Sequence, residues 1–263
     1  MSRCLSCYQP LDDDTSEYHP HCAMAIFGQS VAPLLPYVEQ DLLSLGQEVL
    51  RARTVVTGVQ PKVSLDISDG TDEPRPKRFT VVGLWGAYIL KPPSTLYPGL
   101  PEVEDLSMHL ASIAGIAVAP HSLIRMSSDS LAYITRRMDR HKGRKFAMED
   151  MCQLTGRPTE LKYQGSYEQI ARVLLRHSAN PGLDVVDFFS VVLFSFLTGN
   201  ADMHLKNFSL LDTAGQGMVL SPAYDLVNTA LVNPSDREEL ALTLNGRKNK
   251  LSATDFQAAM TKA

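Results

Sequence analysis

A dense set of polar residues lies between Gly199 and Phe208, directly after a strongly apolar segment. The segment reads Gly-Asn-Ala-Asp-Met-His-Leu-Lys-Asn-Phe, so it carries an acid, an imidazole, an amine and two amides. Such a concentration after a buried helix is typical of a functional loop. Asp202 is a candidate general base for a hydroxyl group, and Asn207, five residues later, is a candidate metal ligand through its amide oxygen. A solvated loop without function is the alternative interpretation.

A second carboxylate follows a predicted hairpin. The apolar runs 208–211 and 218–220 are separated by Asp-Thr-Ala-Gly-Gln-Gly, which predicts two paired strands. Asp225 comes shortly after, so Asn207 and Asp225 could bind one Mg²⁺ or Mn²⁺ from the two ends of the hairpin, since both offer hard oxygen ligands. Protein kinases carry a base, an amide and a metal-binding Asp in this order. A turn or helix N-cap residue is the alternative for Asp225.

A single lysine ends the apolar segment Gly-Ala-Tyr-Ile-Leu-Lys at position 91. Lys91 could hold phosphate groups, as the strand lysine of protein kinases does. Glu104 lies in a helix predicted over 103–114 and could pair with Lys91 to fix its direction. A lysine and a glutamate that are both solvated are the alternative.

The segment 54–62, Thr-Val-Val-Thr-Gly-Val-Gln-Pro-Lys, could cover the phosphates, because Gly58 permits a tight backbone bend. It is neither a Walker loop nor a Gly-x-Gly-x-x-Gly loop.

Cysteine and histidine cluster near the N-terminus. Cys4 and Cys7 are followed by Tyr-His-Pro-His-Cys at 18–22, which gives the spacing Cys-x2-Cys-x11-His-x2-Cys. The residues Cys4, Cys7, His19 and Cys22 could therefore close a tetrahedral Zn²⁺ site, with His21 competing for the place of His19. A small cap with free thiols is the alternative, and the isolated Cys152 is predicted to be a buried apolar residue.

The composition predicts a globular protein that is not held to nucleic acid by bulk charge. The chain has 263 residues, 44% hydrophobic and 21% charged, with a net charge of −4. The longest apolar stretch, 185–197, is interrupted by Asp187 and is too short to cross a bilayer. No secretory signal is evident at the start, so we expect a cytoplasmic protein with reduced thiols.

The order of predicted elements favours an α+β fold with a β-rich N-terminal lobe, a helical C-terminal lobe and an active cleft between them. Helices are predicted over 38–50, 103–114, 167–175, 185–197 and from Ala253, and strands over 63–67, 79–90, 117–124 and 131–135. The predicted domains are a Cys/His-containing segment 1–27, a β-rich lobe 28–136 and a helical lobe 137–263, with the hinge near 136–140.

Seven motifs in this order resemble the HipA-type serine/threonine kinases of bacterial toxin–antitoxin systems. They are Thr-Gly-Val-Gln-Pro-Lys at 57–62, Tyr-Ile-Leu-Lys-Pro at 88–92, Tyr-Pro-Gly-Leu-Pro-Glu-Val-Glu at 97–104, Arg-Met-Asp-Arg at 137–140, Glu-Asp-Met-Cys-Gln at 149–153, the 199–208 segment and Pro-Ala-Tyr-Asp at 222–225. The short HipT-like branch is the most similar, since a short Cys-bearing segment stands where full-length HipA has an N-terminal subdomain. Family chains also continue with more helices, so we expect a minimal or trimmed C-terminal lobe.

The resemblance implies a protein-kinase-like fold, ATP and Mg²⁺ as cofactors, and a role for each matching residue. Asp202 would be the catalytic base, Asn207 and Asp225 the Mg²⁺ ligands, and Lys91 the ATP-phosphate lysine supported by Glu104. The other nucleotide-binding positions would be Gly58, Gln60, Lys62, Arg136, Met138, Asp139, His204 and Lys206, with adenine against 136–138 and Asp139 near the ribose.

Family members autophosphorylate serines in the loop before Gly58. These positions are Val55 and Thr57 here, so Thr57 is the in-register acceptor, with Thr54 and Ser64 as nearby substitutes. A phosphate there would add roughly −2 charge where ATP phosphates pack, and would disfavour nucleotide binding.

The resemblance also implies a protein substrate, such as an aminoacyl-tRNA synthetase or a similar translation protein, and a toxin countered by an antitoxin. A small partner could replace the N-terminal subdomain, and a HipB-like protein could supply DNA binding, so direct nucleic-acid and membrane binding are not expected. The alternative function is a non-catalytic nucleotide- or partner-binding module on a degenerate kinase fold.

Overall fold

The computed structural model describes residues 2–42, 44, 62–68, 77–82, 86–141, 143–212, 215 and 217–262. The chain forms two compact units. The first consists of Met1–Asp105 and Pro120–Arg137, and the second of Leu106–Ala119 and Met138–Ala263.

An antiparallel five-stranded sheet is the framework of the first unit, with the order β2-β1-β3-β5-β4. Its strands are β1 (Val63–Ser68), β2 (Arg78–Val81), β3 (Tyr88–Lys91), β4 (His121–Arg125) and β5 (Leu131–Arg136). The alternation that predicted β1 is confirmed, because Val63 and Leu65 are buried while Asp66 is exposed. In the register of β3 with β5, Lys91 lies opposite Tyr133.

The N-terminal segment packs on this sheet through a helix that the sequence did not reveal, α1 (Pro20–Phe27). A proline opens the helix and Gly28, at φ 72°, ends it in the left-handed conformation. The Phe27 ring packs against Phe79 and Tyr88, with centroids 5.9 and 6.3 Å apart. Of the helix predicted over 38–50, residues 39–42 and 44 are helical, and the others lie outside the described residues.

Helices dominate the second unit. The helix α2 (Leu100–Ile113) begins in the first unit and ends in the second; the remaining helices are α3 (Met151–Leu154), α4 (Tyr167–His177), α5 (Pro181–Leu197), α6 (Thr229–Val232) and α7 (Ala253–Lys262). A capping box fixes the start of α4, since Ser166 Oγ accepts from Gln169 N and the Gln169 side chain accepts from Ser166 N. The rings of Tyr167, Phe188 and Phe208 meet in the core.

The second unit also contains strands, and the sequence predicted only some of them. The predicted hairpin is present as β9 (Ser209–Asp212) and β10 (Val219–Leu220) in a three-stranded sheet of order β10-β9-β8. Its third strand β8 (Ala147–Asp150) and the short pair β6 (Arg140–His141) and β7 (Arg144–Lys145) were not predicted. The strand predicted over 117–124 was wrong at its start, because Val118 forms a parallel bridge with Ala223 and β4 begins only at His121.

Among the helices that the structure describes, none has both the length and the apolar character that crossing a membrane requires.

A buried carboxyl links α2 to the N-terminal segment. The Tyr8 hydroxyl donates to Asp105 Oδ2, and Asp105 is fully buried. Burial raises the pKa of Asp105 to about 7; the charge of Glu104 adds to the increase, and the hydrogen bond from Tyr8 opposes it. Asp105 therefore keeps its proton in the folded chain at pH values where the unfolded chain has lost it.

This pKa predicts the pH dependence of stability. The contribution of Asp105 is fully present below its unfolded pKa of 3.8 and is lost as pH rises to about 7, a difference of up to about 4 kcal/mol. We expect Asp105→Asn to flatten the pH dependence of the urea midpoint between pH 4 and 8. The exposed control Asp129→Asn should keep the wild-type slope. Parallel curves for wild type and Asp105→Asn would contradict the assignment.

Candidate functional site

The end of α5 positions Asp202. The chain leaves the helix through Gly199 at φ 67°, where an added Cβ would lie 3.0 Å from the Ala230 Cβ, so glycine suits the position in both conformation and space. Asn200 is almost fully buried, and its Oδ1 accepts from the Asp202 backbone nitrogen at 3.1 Å. The backbone before the predicted base is therefore fixed by packing and by a side-chain hydrogen bond.

The amide of Asn207 is oriented by the same turn. Asn207 ends a 3₁₀ helix, Leu205–Asn207, and its Nδ2 donates to the Asp202 carbonyl oxygen at 3.0 Å. With the nitrogen used as a donor, the amide oxygen is the atom available as a metal ligand. The five-residue spacing seen in the sequence thus corresponds to a direct contact.

Asp225 adopts a left-handed conformation, with φ 57°. Asp tolerates this conformation better than most residues, and such backbone strain clusters at functional sites. The preceding Tyr224 hydroxyl donates to the Lys206 carbonyl at 2.8 Å and lies 2.5 Å from Ser209 Oγ. These bonds tie the segment that carries Asp225 to the residue before Asn207. The oxygen ligands present at the base of the hairpin suit Mg²⁺.

The charges of two predicted site carboxylates act on His204. Burial lowers its pKa to about 4; Lys162 adds to the decrease, while the charges of Asp202 and Asp225 oppose it. The imidazole is therefore neutral at pH 7. The charges of Asp202 and Asp225 both act on this imidazole, so both carboxylates lie within electrostatic range of His204.

Tyr163 contacts the predicted base, and no local pattern in the sequence indicates this contact. Its hydroxyl donates to Asp202 Oδ1 at 2.6 Å, and its ring lies edge-on to His204, with centroids 4.9 Å apart. The pKa of Tyr163 is raised by burial first and then by its bond to Asp202. Tyr163 and Asp202 are 39 residues apart, so no local spacing could have linked them.

A second partner missed from the sequence is Asp150. Lys206 Nζ donates to Asp150 Oδ2 at 2.6 Å, while Asp150 Oδ1 accepts from Gln153 N as the N-cap of α3. The Asp-x-x-Gln spacing of a capping box was a readable signal for the helix start. No sequence pattern predicts the pairing of Asp150 with Lys206, because the two residues are 56 positions apart.

In the first unit, Lys91 and Glu104 form the predicted ion pair. Their Nζ and Oε1 atoms are 2.5 Å apart, and the side chains are only 5% and 2% exposed. The ammonium also lies 5.4 Å from the centroid of the Tyr133 ring. A lysine held this way at the end of a buried strand is fixed in direction.

For the other predicted nucleotide-binding residues, the structure gives their location but no contact that indicates a role. Arg136 ends β5, and the chain passes from the first unit to the second between Arg137 and Met138. Asp139 is buried and forms an ion pair with Arg140. Lys62 is exposed before β1, and Thr57, Gly58 and Gln60 lie outside the described residues.

The first unit also brings the N-terminal Cys/His set together. Cys4, Cys7, His19 and Cys22 each offer one ligand atom, and these atoms all lie within 4.8 Å of one another. Of the two histidines, His19 and not His21 lies within this distance of the three cysteines. Cys152 is buried, as predicted.

Known proteins match this chain over most of its length. Residues 54–263 match the HipA-like C-terminal domain family. "Putative kinase Y4mE" of Sinorhizobium fredii is 33% identical over 230 residues, covering 84% of this chain and 52% of that protein. "Serine/threonine-protein kinase toxin HipA" of Shewanella oneidensis is 27% identical over 229 residues, covering 80% and 51%. The chain spans about half the length of these relatives.

A solved structure confirms the predicted fold class. HipA of Shewanella oneidensis, solved with HipB and its operator DNA, matches with a TM-score of 0.64 and 26% identity over 80% of this chain and 52% of that one. The fold is α+β and kinase-like, with an N-terminal sheet followed by a helical region. By motif order, family match and fold, the chain belongs to the HipA-like C-terminal domain family.

Proposed function

We propose that this chain is an ATP- and Mg²⁺-dependent serine/threonine protein kinase and the toxin of a bacterial toxin–antitoxin system. The contact that supports this most strongly is the hydrogen bond from Asn207 Nδ2 to the Asp202 carbonyl, which couples the proposed base to the proposed metal ligand. The buried pair of Lys91 and Glu104 supports it independently, since a fixed ammonium suits phosphate oxygens.

In this proposal each residue has one task. Asp202 orients the acceptor hydroxyl and takes its proton, Asn207 and Asp225 hold the metal through oxygen atoms, and Lys91 contacts ATP phosphates while Glu104 fixes its direction. Mg²⁺, when bound, offsets the negative charge of the phosphate oxygens. His204, neutral at pH 7, and Lys206, which pairs with Asp150, would lie beside the ATP phosphates, as the family resemblance implies.

The remaining assignments rest on the family resemblance. Residues 136–138 would meet the adenine, with Arg136 and Met138 as contacts and Asp139 near the ribose. Gly58, Gln60 and Lys62 would cover the phosphates, and Thr57 would be the autophosphorylated residue. The division into 1–27, 28–136 and 137–263 and the cytoplasmic location stay predictions. The kinase reaction assigns no role to the N-terminal Cys/His cluster.

Substrate and partners are proposed at the level of class. HipA of Shewanella oneidensis is named a serine/threonine-protein kinase toxin and was solved with HipB and DNA. By analogy, we propose a protein substrate, such as an aminoacyl-tRNA synthetase or a similar translation protein. The cognate antitoxin would include a HipB-like DNA-binding protein and a further small protein.

The experiment is transfer of labelled phosphate from ATP in a bacterial lysate, with wild type and Asp202→Asn side by side. With wild type alone, we expect a labelled lysate protein whose labelling requires Mg²⁺. We also expect mass spectrometry to find phosphate on Thr57 of the wild-type chain itself. Equal labelling with both proteins would contradict the proposed base. ATP binding without transfer by wild type would favour the alternative, a non-catalytic nucleotide-binding module.

The contact between Tyr163 and Asp202 predicts a smaller effect. Tyr163→Phe removes one hydrogen bond that positions the Asp202 carboxylate, which is worth about 1 kcal/mol. We therefore expect kcat to fall roughly 3- to 10-fold with the KM for ATP unchanged. Steady-state kinetics measures both constants, with Tyr97→Phe as a half-exposed tyrosine control. An unchanged kcat would show that this bond does not position the base.

A further inference from the structure

The geometry of the Cys/His cluster matches a metal centre. Cys7 Sγ and Cys22 Sγ lie 3.4 and 3.9 Å from His19 Nδ1, and all four ligand atoms lie within 4.8 Å of one another. Bonds of about 2.3 Å to sulfur and 2.0 Å to nitrogen in a tetrahedron place neighbouring ligand atoms roughly 3.5 Å apart. The three cysteines are free thiols, so each could supply a thiolate.

Two local structures present the four ligands. A tight turn holds Cys4 and Cys7, with Tyr8 N donating to the Cys4 carbonyl at 2.9 Å and Tyr8 at φ 61°. His19 is the N-cap of α1, and Cys22 lies in its first turn. Residues three apart at a helix start lie on one side, so His19 and Cys22 face the turn together.

The tautomer of the neutral His19 ring is set by a contact outside the cluster. His19 Nε2 lies 3.0 Å from the Pro10 carbonyl oxygen, which can only accept a hydrogen bond. The proton therefore belongs on Nε2, and the lone pair of Nδ1 points toward the sulfur atoms. A metal-bound histidine usually donates its other ring nitrogen to a carbonyl or carboxylate in this way.

We propose that Cys4, Cys7, His19 and Cys22 bind one Zn²⁺ ion in a closed structural site. Three thiolates and one imidazole are a ligand set that favours Zn²⁺, and four protein ligands leave no open position for a substrate. The ion and the three thiolates together carry a charge of about −1.

The site holds the N-terminal segment on the first-unit sheet. Beside Cys4, the Leu5 carbonyl accepts from Leu123 N at 3.3 Å and from Ser122 Oγ at 3.1 Å, on the edge strand β4. Beside His19, the Tyr18 hydroxyl donates to the Leu123 carbonyl at 2.5 Å. The residues next to the ligands thus pair with the open edge of the sheet, so loss of the metal should loosen this edge.

The test is zinc content by mass spectrometry of the purified chain after gel filtration. We expect about one Zn²⁺ per chain in wild type, in Cys152→Ser and in His21→Gln, and almost none in Cys7→Ser. Cys152 is a matched control because it is a buried thiol outside the cluster. A wild-type chain without zinc, or equal zinc loss in Cys152→Ser and Cys7→Ser, would overturn the proposal.

A second measurement covers the case in which Cys7→Ser fails to fold. Wild-type chain is stripped of metal and titrated with Co²⁺, whose visible spectrum distinguishes tetrahedral thiolate coordination from octahedral water. We expect an intense tetrahedral spectrum with thiolate-to-metal charge transfer that saturates at one equivalent and disappears when Zn²⁺ is added. A weak octahedral spectrum would overturn the proposal. Neither readout depends on phosphoryl transfer.

Discussion

Asp202→Asn is expected to lower the rate of phosphoryl transfer by about 10²- to 10⁴-fold while leaving ATP affinity nearly unchanged. The substitution keeps the size and the hydrogen-bonding shape of the side chain but removes the carboxylate that accepts the hydroxyl proton. The backbone contacts with Asn200 and Asn207 do not use the Asp202 side chain, so the loop should keep its structure. Single-turnover transfer and calorimetric ATP binding measure the two quantities separately.

The matched control for this prediction is Asp187→Asn. Asp187 is exposed on α5 in the same unit, so the control makes the same charge change away from the proposed site. Asp187→Asn should transfer phosphate at the wild-type rate. If Asp202→Asn kept more than a tenth of that rate, Asp202 would not be the base.

The second large effect is expected at the buried ion pair. Lys91→Met removes the ammonium that neutralises Glu104, and breaking a buried pair from one side typically costs about 3–5 kcal/mol. It also removes the proposed phosphate contact, so ATP binding should weaken. Glu104→Gln should be similarly destabilised, and the double variant should lose less than the sum of the two single losses.

Urea unfolding of the three variants, with calorimetric ATP binding where the variant is folded, tests this prediction. Lys248 and Glu238 form a comparable ion pair at 3.0 Å, but their side chains are 28% and 43% exposed. Lys248→Met should therefore cost no more than about 1 kcal/mol. Equal destabilisation by Lys91→Met and Lys248→Met would show that the buried ion pair contributes no more to the free energy of unfolding than the exposed one.

The sequence predicted elements well where the signal is local. The alternation in β1 and the apolar spacing of α4 and α5 identify these elements, because one buried face imposes its own period on the chain. The sequence does not predict α1, because a helix of eight residues shows little periodicity and this one overlaps the Cys and His residues whose spacing indicates a metal site.

The candidate site was predictable in its residues but not in its contacts. Asn207 and Asp202 are close in sequence, so their spacing already implied proximity. Tyr163 contacts Asp202 from 39 residues away along the chain, and Asp150 contacts Lys206 from 56 residues away. No sequence period indicates contacts between residues so far apart. Likewise, the choice between His19 and His21 depends on where α1 begins, which the spacing alone did not reveal.

The most direct test of the kinase proposal is a crystal structure of the chain with Mg²⁺ and a non-hydrolysable ATP analogue. The proposal predicts side-chain oxygens of Asn207 and Asp225 about 2.1 Å from the metal, Lys91 Nζ in contact with phosphate oxygens, and the Asp202 carboxylate facing the terminal phosphate. A nucleotide bound away from these four side chains, or a metal with no ligand from Asn207 or Asp225, would contradict it.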